Sequence, residues 1–280
     1  MLEILASLSL PGDPAKPNED AFAVINSAAV VMDGATGLGE QLLPGRSDAA
    51  WVSTFGARRL MAHARDGDAP LSALAHALAD TEKSFHGLRR RAPKEKYEVP
   101  LAAMMFVAET ESALKALWFG DCGLIVKRPG EAAELVGDGF EKRAAEAKRA
   151  ALLSVQTGVS ATVGVNRPHI LPALRASRNR MNGPAGWAFG PDSRAAKHAS
   201  SQTVEAPPGT LLLLASDGFL ALGGDYGRYS ADALLEAIEK DGLPKLGTEL
   251  RAIEEDDPEG ARFPRFKKSD DATALLLRRS

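Results

Sequence analysis

The stretch NEDAFAVINSAAVVMDGATGLG, Asn18–Gly39, decides the fold prediction. Two short apolar runs flank Asn26–Ser27, and this spacing predicts an antiparallel β-hairpin. In a hairpin the start of the first strand lies beside the end of the second, so Glu19, Asp20 and Asp33 are expected at one edge of a sheet. Carboxylates that close repel one another unless a cation lies between them. A hard divalent ion such as Mg²⁺ or Mn²⁺, which prefers oxygen ligands, is the natural candidate.

The rest of the chain is predicted to add strands and helices without regular β-α alternation. The strands predicted outside the hairpin are Leu2–Leu10, Leu101–Ala108, Ala113–Phe119, Gly123–Lys127, Trp187–Phe189, Ser201–Glu205, Leu211–Ala215 and Ala272–Leu277. The predicted helices are Asp48–Arg65, a helix from Pro70 to about Leu88 with Asp68 as its N-cap, Gly139–Val155, and Ala231–Ile253 with a break at Gly242–Pro244. The polar segment Arg167–Asn182 is predicted to be irregular. This order favours an α+β protein in which helices cover antiparallel sheets.

Composition and charge exclude several classes of protein. Hydrophobic residues make up 45% of the chain, which is enough for a core and argues against disorder. The net charge of −3 argues against nucleic acid as a partner. No apolar run approaches the roughly 20 residues of a membrane helix, and the N-terminal segment is expected to be a strand rather than a signal peptide. The single cysteine, Cys122, favours a cytoplasmic location and a buried structural thiol.

Acidic motifs recur at the ends of the predicted strands. They are NED at Asn18–Asp20, MDG at Met32–Gly34, FGDCG at Phe119–Gly123, SDG at Ser216–Gly218 and SDD at Ser269–Asp271. A single Asp-Gly pair is most often only a turn. Because these motifs all follow or precede an apolar strand, together they indicate one shared site for Mg²⁺ or Mn²⁺.

These motifs, in this order and at these separations, resemble those of the metal-dependent protein phosphatases, the PPM or type 2C serine/threonine phosphatases, over nearly the whole chain. The resemblance implies a four-layer α-β-β-α sandwich of two antiparallel sheets flanked by helices, formed by one domain over residues 1–280 with a flap at residues 166–184. It implies hydrolysis of phosphoserine and phosphothreonine on proteins, by attack of a hydroxide that bridges two metal ions. The implied partner is a phosphorylated protein, a kinase or its target.

The resemblance also assigns roles to individual residues. Those that match metal-binding positions of the family are Glu19, Asp20, Asp33, Gly34, Asp121, Asp217 and Asp270. Asp33 resembles the carboxylate that bridges both ions, and Gly34 resembles the residue whose carbonyl binds one of them. Asp217 and Asp270 resemble ligands of the second ion, and one member of the acidic pair completes that set. Asp121 resembles a ligand of a weaker third ion.

The chain departs from the family pattern around the substrate. Lys16 stands near the position of an arginine that binds the substrate phosphate, and is expected to replace it as a point charge. Ala35 stands where many members have the histidine proposed as general acid. Arg175, Arg178 and Arg180 lie in the region of the flap and are candidates for contact with the phosphosubstrate.

Two alternatives to an active phosphatase follow from these departures. The first is a weakly active or inactive regulatory module of the same fold that binds a phosphoprotein or effector. It is favoured by the missing histidine and arginine, while Ala221 weakens the third metal site and Asp271 replaces an asparagine of the family. The second, a haloacid-dehalogenase-type phosphatase, is disfavoured because its nucleophilic aspartate would stand at Val31.

Overall fold

Two antiparallel five-stranded sheets lie face to face at the centre of the fold. The computed structural model describes residues 1–111, 113–157, 160, 162 and 167–280. The strands are β1 (Leu2–Leu10), β2 (Asp20–Ile25), β3 (Ala28–Gly34), β4 (Ala102–Glu109), β5 (Leu114–Phe119), β6 (Gly123–Lys127), β7 (Glu134–Val136), β8 (Ser200–Val204), β9 (Leu211–Ala215) and β10 (Ala272–Arg279). One sheet has the order β1-β10-β9-β6-β7 and the other the order β2-β3-β4-β5-β8.

Helices cover the outer face of each sheet. They are α1 (Asp48–Arg65), α2 (Pro70–Leu88), α3 (Gly139–Thr157), α4 (Arg167–Arg178), α5 (Asp217–Leu220), α6 (Ala231–Asp241) and α7 (Leu243–Asp256). Leu60 of α1 and Leu74 of α2 share a buried cluster with Phe106 of β4. Leu235 of α6 and Leu250 of α7 belong to a second cluster, on the sheet that contains β9. The predicted four-layer α-β-β-α sandwich is confirmed.

The two sheets meet in a third apolar cluster, which explains the uninterrupted apolar strands. Val31 and Val107 from one sheet pack in this cluster with Leu214 and Leu275 from the other. Since helices cover the opposite face of each sheet, side chains on both faces of the strands are buried. Each buried aliphatic side chain contributes about 1.5–3 kcal/mol to the stability of the fold. Cys122 is fully buried here, and its burial raises the pKa of the thiol.

The acidic motifs end up at one edge of the sandwich because of the strand register. Asp20, the first residue of β2, pairs with Asp33 near the end of β3, so the predicted hairpin is confirmed. In the other sheet Ala215, the last residue of β9, pairs with Gly123, the first residue of β6. The Ser216 hydroxyl then donates a hydrogen bond of 2.7 Å to Asp20 and links the two sheets at this edge.

Most of the segment Arg167–Asn182, which was predicted to be irregular, is instead the helix α4, whereas residues 179–182 are turns. Tertiary contacts explain the difference: Ile170 is fully buried, and Arg175 Nε donates to the Leu38 carbonyl at 2.8 Å. These contacts outweigh Pro172, which removes one helical hydrogen-bond donor. Residue 166, where the expected flap begins, lies outside the described residues.

Other local predictions also differ from the structure. The N-cap of α2 is Ala69 rather than Asp68, whose carboxylate instead contacts His76. The expected strand Trp187–Phe189 is reduced to one bridge from Phe189 to β4. The short elements β7 and α5 were not predicted, because elements this short carry little periodic signal. Within the described part of the chain, no helix combines the length and the hydropathy needed to cross a membrane.

Candidate metal centre

Three aspartates from different elements meet at the acidic edge. They are Asp33 near the end of β3, Asp121 in the turn before β6, and Asp217 at the start of α5, and each has a carboxylate oxygen within 4.8 Å of the others. The glycines directly after Asp33 and Asp217 in the chain leave room for the backbone segments that pack against them. A Cβ at Gly34 would lie 2.6 Å from the backbone oxygen of Glu19, and a Cβ at Gly218 would clash with the backbone before β10.

Burial, together with repulsion from neighbouring carboxylates, makes the ionised forms of Asp33, Asp121 and Glu146 unfavourable. Burial, followed by repulsion from Asp217 and Asp20, raises the pKa of Asp33 well above its ordinary value. Burial and repulsion from Asp217 raise the pKa of Asp121 to about 6. The same causes raise the pKa of Glu146, on α3, to about 7. A cation among these groups would reverse the penalty, since it stabilises the charged forms.

Buried carboxylate oxygens that accept no hydrogen bond also favour a cation at this edge. Within the described part of the chain, Asp20 Oδ1, Asp217 Oδ1 and Asp225 Oδ1 are buried and accept no hydrogen bond. Burial raises the pKa of Asp20 to about 8, although Ser216 donates to its other oxygen. A set of unpaired, buried carboxylate oxygens fits a hard divalent ion such as Mg²⁺ or Mn²⁺.

An arginine on α3 already neutralises part of this cluster. Arg143 donates to Asp217 and, through two nitrogens, to Asp225. Its side chain is only 9% exposed. Although burial alone would lower the pKa of Arg143, attraction to the two aspartates raises it well above the ordinary value. The guanidinium is therefore a resident cation that a metal ion at Asp217 must tolerate or displace.

A lysine neutralises Asp270 in the same way. Lys267 Nζ lies 2.6 Å from Asp270 Oδ1, and its side chain is 34% exposed. Burial lowers the pKa of Lys267, but attraction to Asp270 and Asp33 outweighs this effect and raises it. Asp270 therefore has a positive partner in direct contact.

Glu19 and Asp271 shape the edge next to the aspartates. The Glu19 carboxylate accepts hydrogen bonds from Ser47, at 2.6 Å, and from Thr36. Asp271 accepts from the backbone N–H of Gly12 at 2.7 Å and from that of Glu19 at 2.6 Å, one on each oxygen. An asparagine could accept only one of these bonds, which explains the aspartate at this position.

A cleft of about 900 Å³ opens beside the centre. Its lining includes Lys16, Glu19, Arg178, Lys267 and Asp270, whereas Asp33, Asp121 and Asp217 do not line it. Substrate in this cleft would meet both acidic and basic side chains.

The arginines and the lysine proposed for substrate contact differ in their surroundings. Arg178 is partly buried against the Ala35 carbonyl, and burial lowers the pKa of its guanidinium. Lys16 is 72% exposed and lies 3.2 Å from Asp13. Arg175 stacks on Tyr97 with its guanidinium 4.7 Å from the ring centre. Arg180 is exposed and does not line the cleft. Of this set, Arg178 and Lys16 line the cleft.

Sequence reasoning missed the side chains that helices and turns bring to the centre. These are Arg143, Glu146, Asp225 and Lys267. Only Lys267 carried a local signal, because it stands three residues before Asp270. The ligand roles predicted for the acidic strand ends, and for the Gly34 carbonyl, stay predictions.

Comparison with known proteins identifies the fold. No family model matches the chain, and no curated protein sequence matches it significantly. Among solved structures, the serine/threonine phosphatase PstP/Ppp of Mycobacterium tuberculosis matches with a TM-score of 0.58 and 16% identity, over 100% of this chain and 99% of that one. The fold is that of the PPM-type serine/threonine phosphatases, so the predicted resemblance is confirmed at the level of fold.

Two further structures with this fold differ in their described roles. A PstP catalytic domain in complex with two manganese ions matches with a TM-score of 0.52 and 15% identity, over 99% of this chain and 97% of that one. PppA of Pseudomonas aeruginosa, described as a key regulatory component of T6SS, matches with a TM-score of 0.54 and 19% identity, over 99% and 97%.

Proposed function

We propose that this chain is a divergent PPM phosphatase that hydrolyses phosphoserine and phosphothreonine on proteins and depends on Mn²⁺ or Mg²⁺. The observation that carries the proposal is the convergence of Asp33, Asp121 and Asp217 within 4.8 Å at one edge of this fold. The buried, unpaired oxygen of Asp217 and the raised pKa of Asp33 support a divalent cation there. The manganese ions bound by a PstP catalytic domain of the same fold support the choice of metal.

The donor set allows us to propose which residues hold the metal. Asp33 and the Gly34 carbonyl would hold one ion. Asp33 would also contribute to a second ion, together with Asp217, Asp270 and Glu19 or Asp20, against the opposing charges of Arg143 and Lys267. Asp121, which lies within 4.8 Å of Asp33 and Asp217, would hold a weaker third ion beside them. Bound ions would supply positive charge to the phosphoryl group and lower the pKa of a water molecule.

The chain's own cations would bind and orient the phosphate. Arg178 lies in the cleft within electrostatic reach of Glu19 and Asp33, and its planar guanidinium suits two phosphate oxygens. Lys16, on the same cleft, would add a mobile point charge. Position 35 is alanine, which cannot donate a proton. Water or another group in the cleft would therefore protonate the leaving group.

A second candidate function is a regulatory module that binds a phosphoprotein or effector with little turnover. The specific observation in its favour is that Arg143 and Lys267 already contact two of the proposed metal ligands. The fold itself is compatible with regulation, since PppA is described as a regulatory component.

Hydrolysis of p-nitrophenyl phosphate and of a phosphothreonine peptide, with and without Mn²⁺, separates these two functions. Phosphatase function predicts metal-dependent turnover that Asp33→Asn reduces by at least about 100-fold, a loss typical of a group that stabilises transition-state charge. Asp256→Asn, at an exposed site on α7, is the matched control and is expected to retain activity. If neither Mn²⁺ nor Mg²⁺ supports turnover and the protein still binds the phosphopeptide, the regulatory function is established instead.

A further inference from the structure

A second cluster of metal-binding side chains lies at the connection between α1 and α2. His63 is in the last turn of α1, Asp68 is in the connecting turn, and His76 is on α2. One ring nitrogen of each histidine and a carboxylate oxygen of Asp68 lie within 4.8 Å of one another. This cluster is remote from the aspartate centre, because Ser47, at the other end of α1, lies about 24 Å away at about 1.5 Å per residue.

The ligand atoms of the three side chains lie close to one another. Asp68 Oδ2 lies 2.7 Å from His76 Nδ1 and 3.4 Å from His63 Nδ1, and the two imidazole rings are 5.2 Å apart. His76 is 57% exposed, so a cation can enter from solvent without opening the fold. The contact between His76 Nδ1 and Asp68 is of hydrogen-bond length, so the two side chains already lie close enough to share one cation.

A further carboxylate fixes the orientation of His63. Asp80 Oδ2 lies 2.8 Å from His63 Nε2 and 2.6 Å from the Arg59 guanidinium. The Asp80 carboxylate can only accept from the Arg59 guanidinium, and the same oxygen lies against His63. With its proton on Nε2, His63 donates to Asp80 and presents the lone pair of Nδ1 towards Asp68, while the Arg59 guanidinium lies 3.3 Å from the same Nε2. Metal-binding histidines commonly have such a carboxylate on the far ring nitrogen.

We propose that His63, Asp68 and His76 form a binding site for a divalent transition-metal ion, with Zn²⁺ as the best match. Two imidazole nitrogens and one carboxylate are a typical set of three protein ligands for Zn²⁺, with water in the fourth position. Mg²⁺ disfavours such a nitrogen-rich set, so the two centres of the protein would select different metals. The ion would tie the end of α1, which covers β2 and β3, to α2.

Zinc titration of the metal-stripped 280-residue protein tests this site. Saturating Mg²⁺ is included to occupy the aspartate centre, and isothermal titration calorimetry measures Zn²⁺ binding. We expect one equivalent of Zn²⁺ to bind tightly, His76→Ala to weaken this binding by on the order of 100-fold, and Asp80→Asn to weaken it by about 10- to 100-fold. His86→Ala, an exposed histidine further along α2, is the matched control and should bind as the wild type does.

Two further measurements distinguish loss of a metal ligand from a loss of folding in the variant. Co²⁺ in place of Zn²⁺ should give visible absorption typical of nitrogen and oxygen ligands in the wild type and not in His76→Ala. Zn²⁺ should raise the midpoint of thermal unfolding of the wild type but not of that variant, whose metal-free midpoint should be unchanged because the side chain is exposed. Zinc binding that is absent from the wild type, or equal in wild type and His76→Ala, would show that the three side chains form a hydrogen-bonded cluster and no metal site.

Discussion

Arg143→Met tests whether a resident arginine holds the acidic cluster together in the absence of metal. Methionine keeps much of the side-chain length but removes the charge that contacts Asp217 and Asp225. The Arg143 and Asp217 side chains are 9% and 7% exposed, so water cannot replace the lost partner. Removal of one partner from a buried ion pair costs about 3–5 kcal/mol, and the metal-free variant is expected to lose stability of this order.

The same substitution is expected to tighten metal binding. Two unit charges 4 Å apart interact by about 4 kcal/mol at an effective dielectric constant of 20. An arginine on one oxygen of Asp217 therefore opposes a divalent ion on its other oxygen by a few kcal/mol, of which Asp225 cancels a part. A net gain of about 1.4–2.8 kcal/mol corresponds to Mn²⁺ binding that is roughly 10- to 100-fold tighter.

Denaturation with guanidinium chloride, with and without Mn²⁺, measures both effects, and calorimetry gives the Mn²⁺ affinity directly. Mn²⁺ should restore most of the stability that the variant loses. Arg228→Met, which breaks an exposed pair with Glu249, is the control and should cost less than about 1 kcal/mol. The reasoning is refuted if metal-free Arg143→Met is as stable as the wild type, or if it binds Mn²⁺ no more tightly.

Three further predictions concern the same edge of the sandwich. Metal-free protein should lose stability as pH rises from 3.8 to about 8. In this range Asp20 and Asp121, with folded-state pKa values of about 8 and 6, hold protons that the unfolded chain has released. Thermal unfolding measured against pH tests this, and Mn²⁺ should abolish the dependence of the midpoint on pH. Arg178→Ala should raise KM for p-nitrophenyl phosphate by about 10-fold or more through loss of a charged hydrogen bond, whereas exposed Arg180→Ala should leave it unchanged; equal effects would contradict the assignment. Asp271→Asn should lower the free energy of unfolding by about 1–3 kcal/mol, because one backbone N–H then loses its acceptor, and an unchanged midpoint in urea would count against this account.

The sequence by itself determined the sheets and the edge at which chemistry is expected. Bounds such as those of β1, β9 and α1 agree with the prediction because apolar runs and helical periodicity are local signals. The convergence of Asp33 and Asp217 could be anticipated because antiparallel strands bring their ends to a common edge, whatever the distance along the chain.

Only the tertiary structure decided which side chains on helices reach that edge. α3 carries several charged residues, and its rotation and docking alone bring Arg143 and Glu146 to the aspartates. The helix α4 forms despite its proline because Ile170 is buried against the rest of the protein. Likewise His63 and His76 become neighbours only when α1 folds back on α2, since the packing of two helices depends on surfaces that no single segment contains.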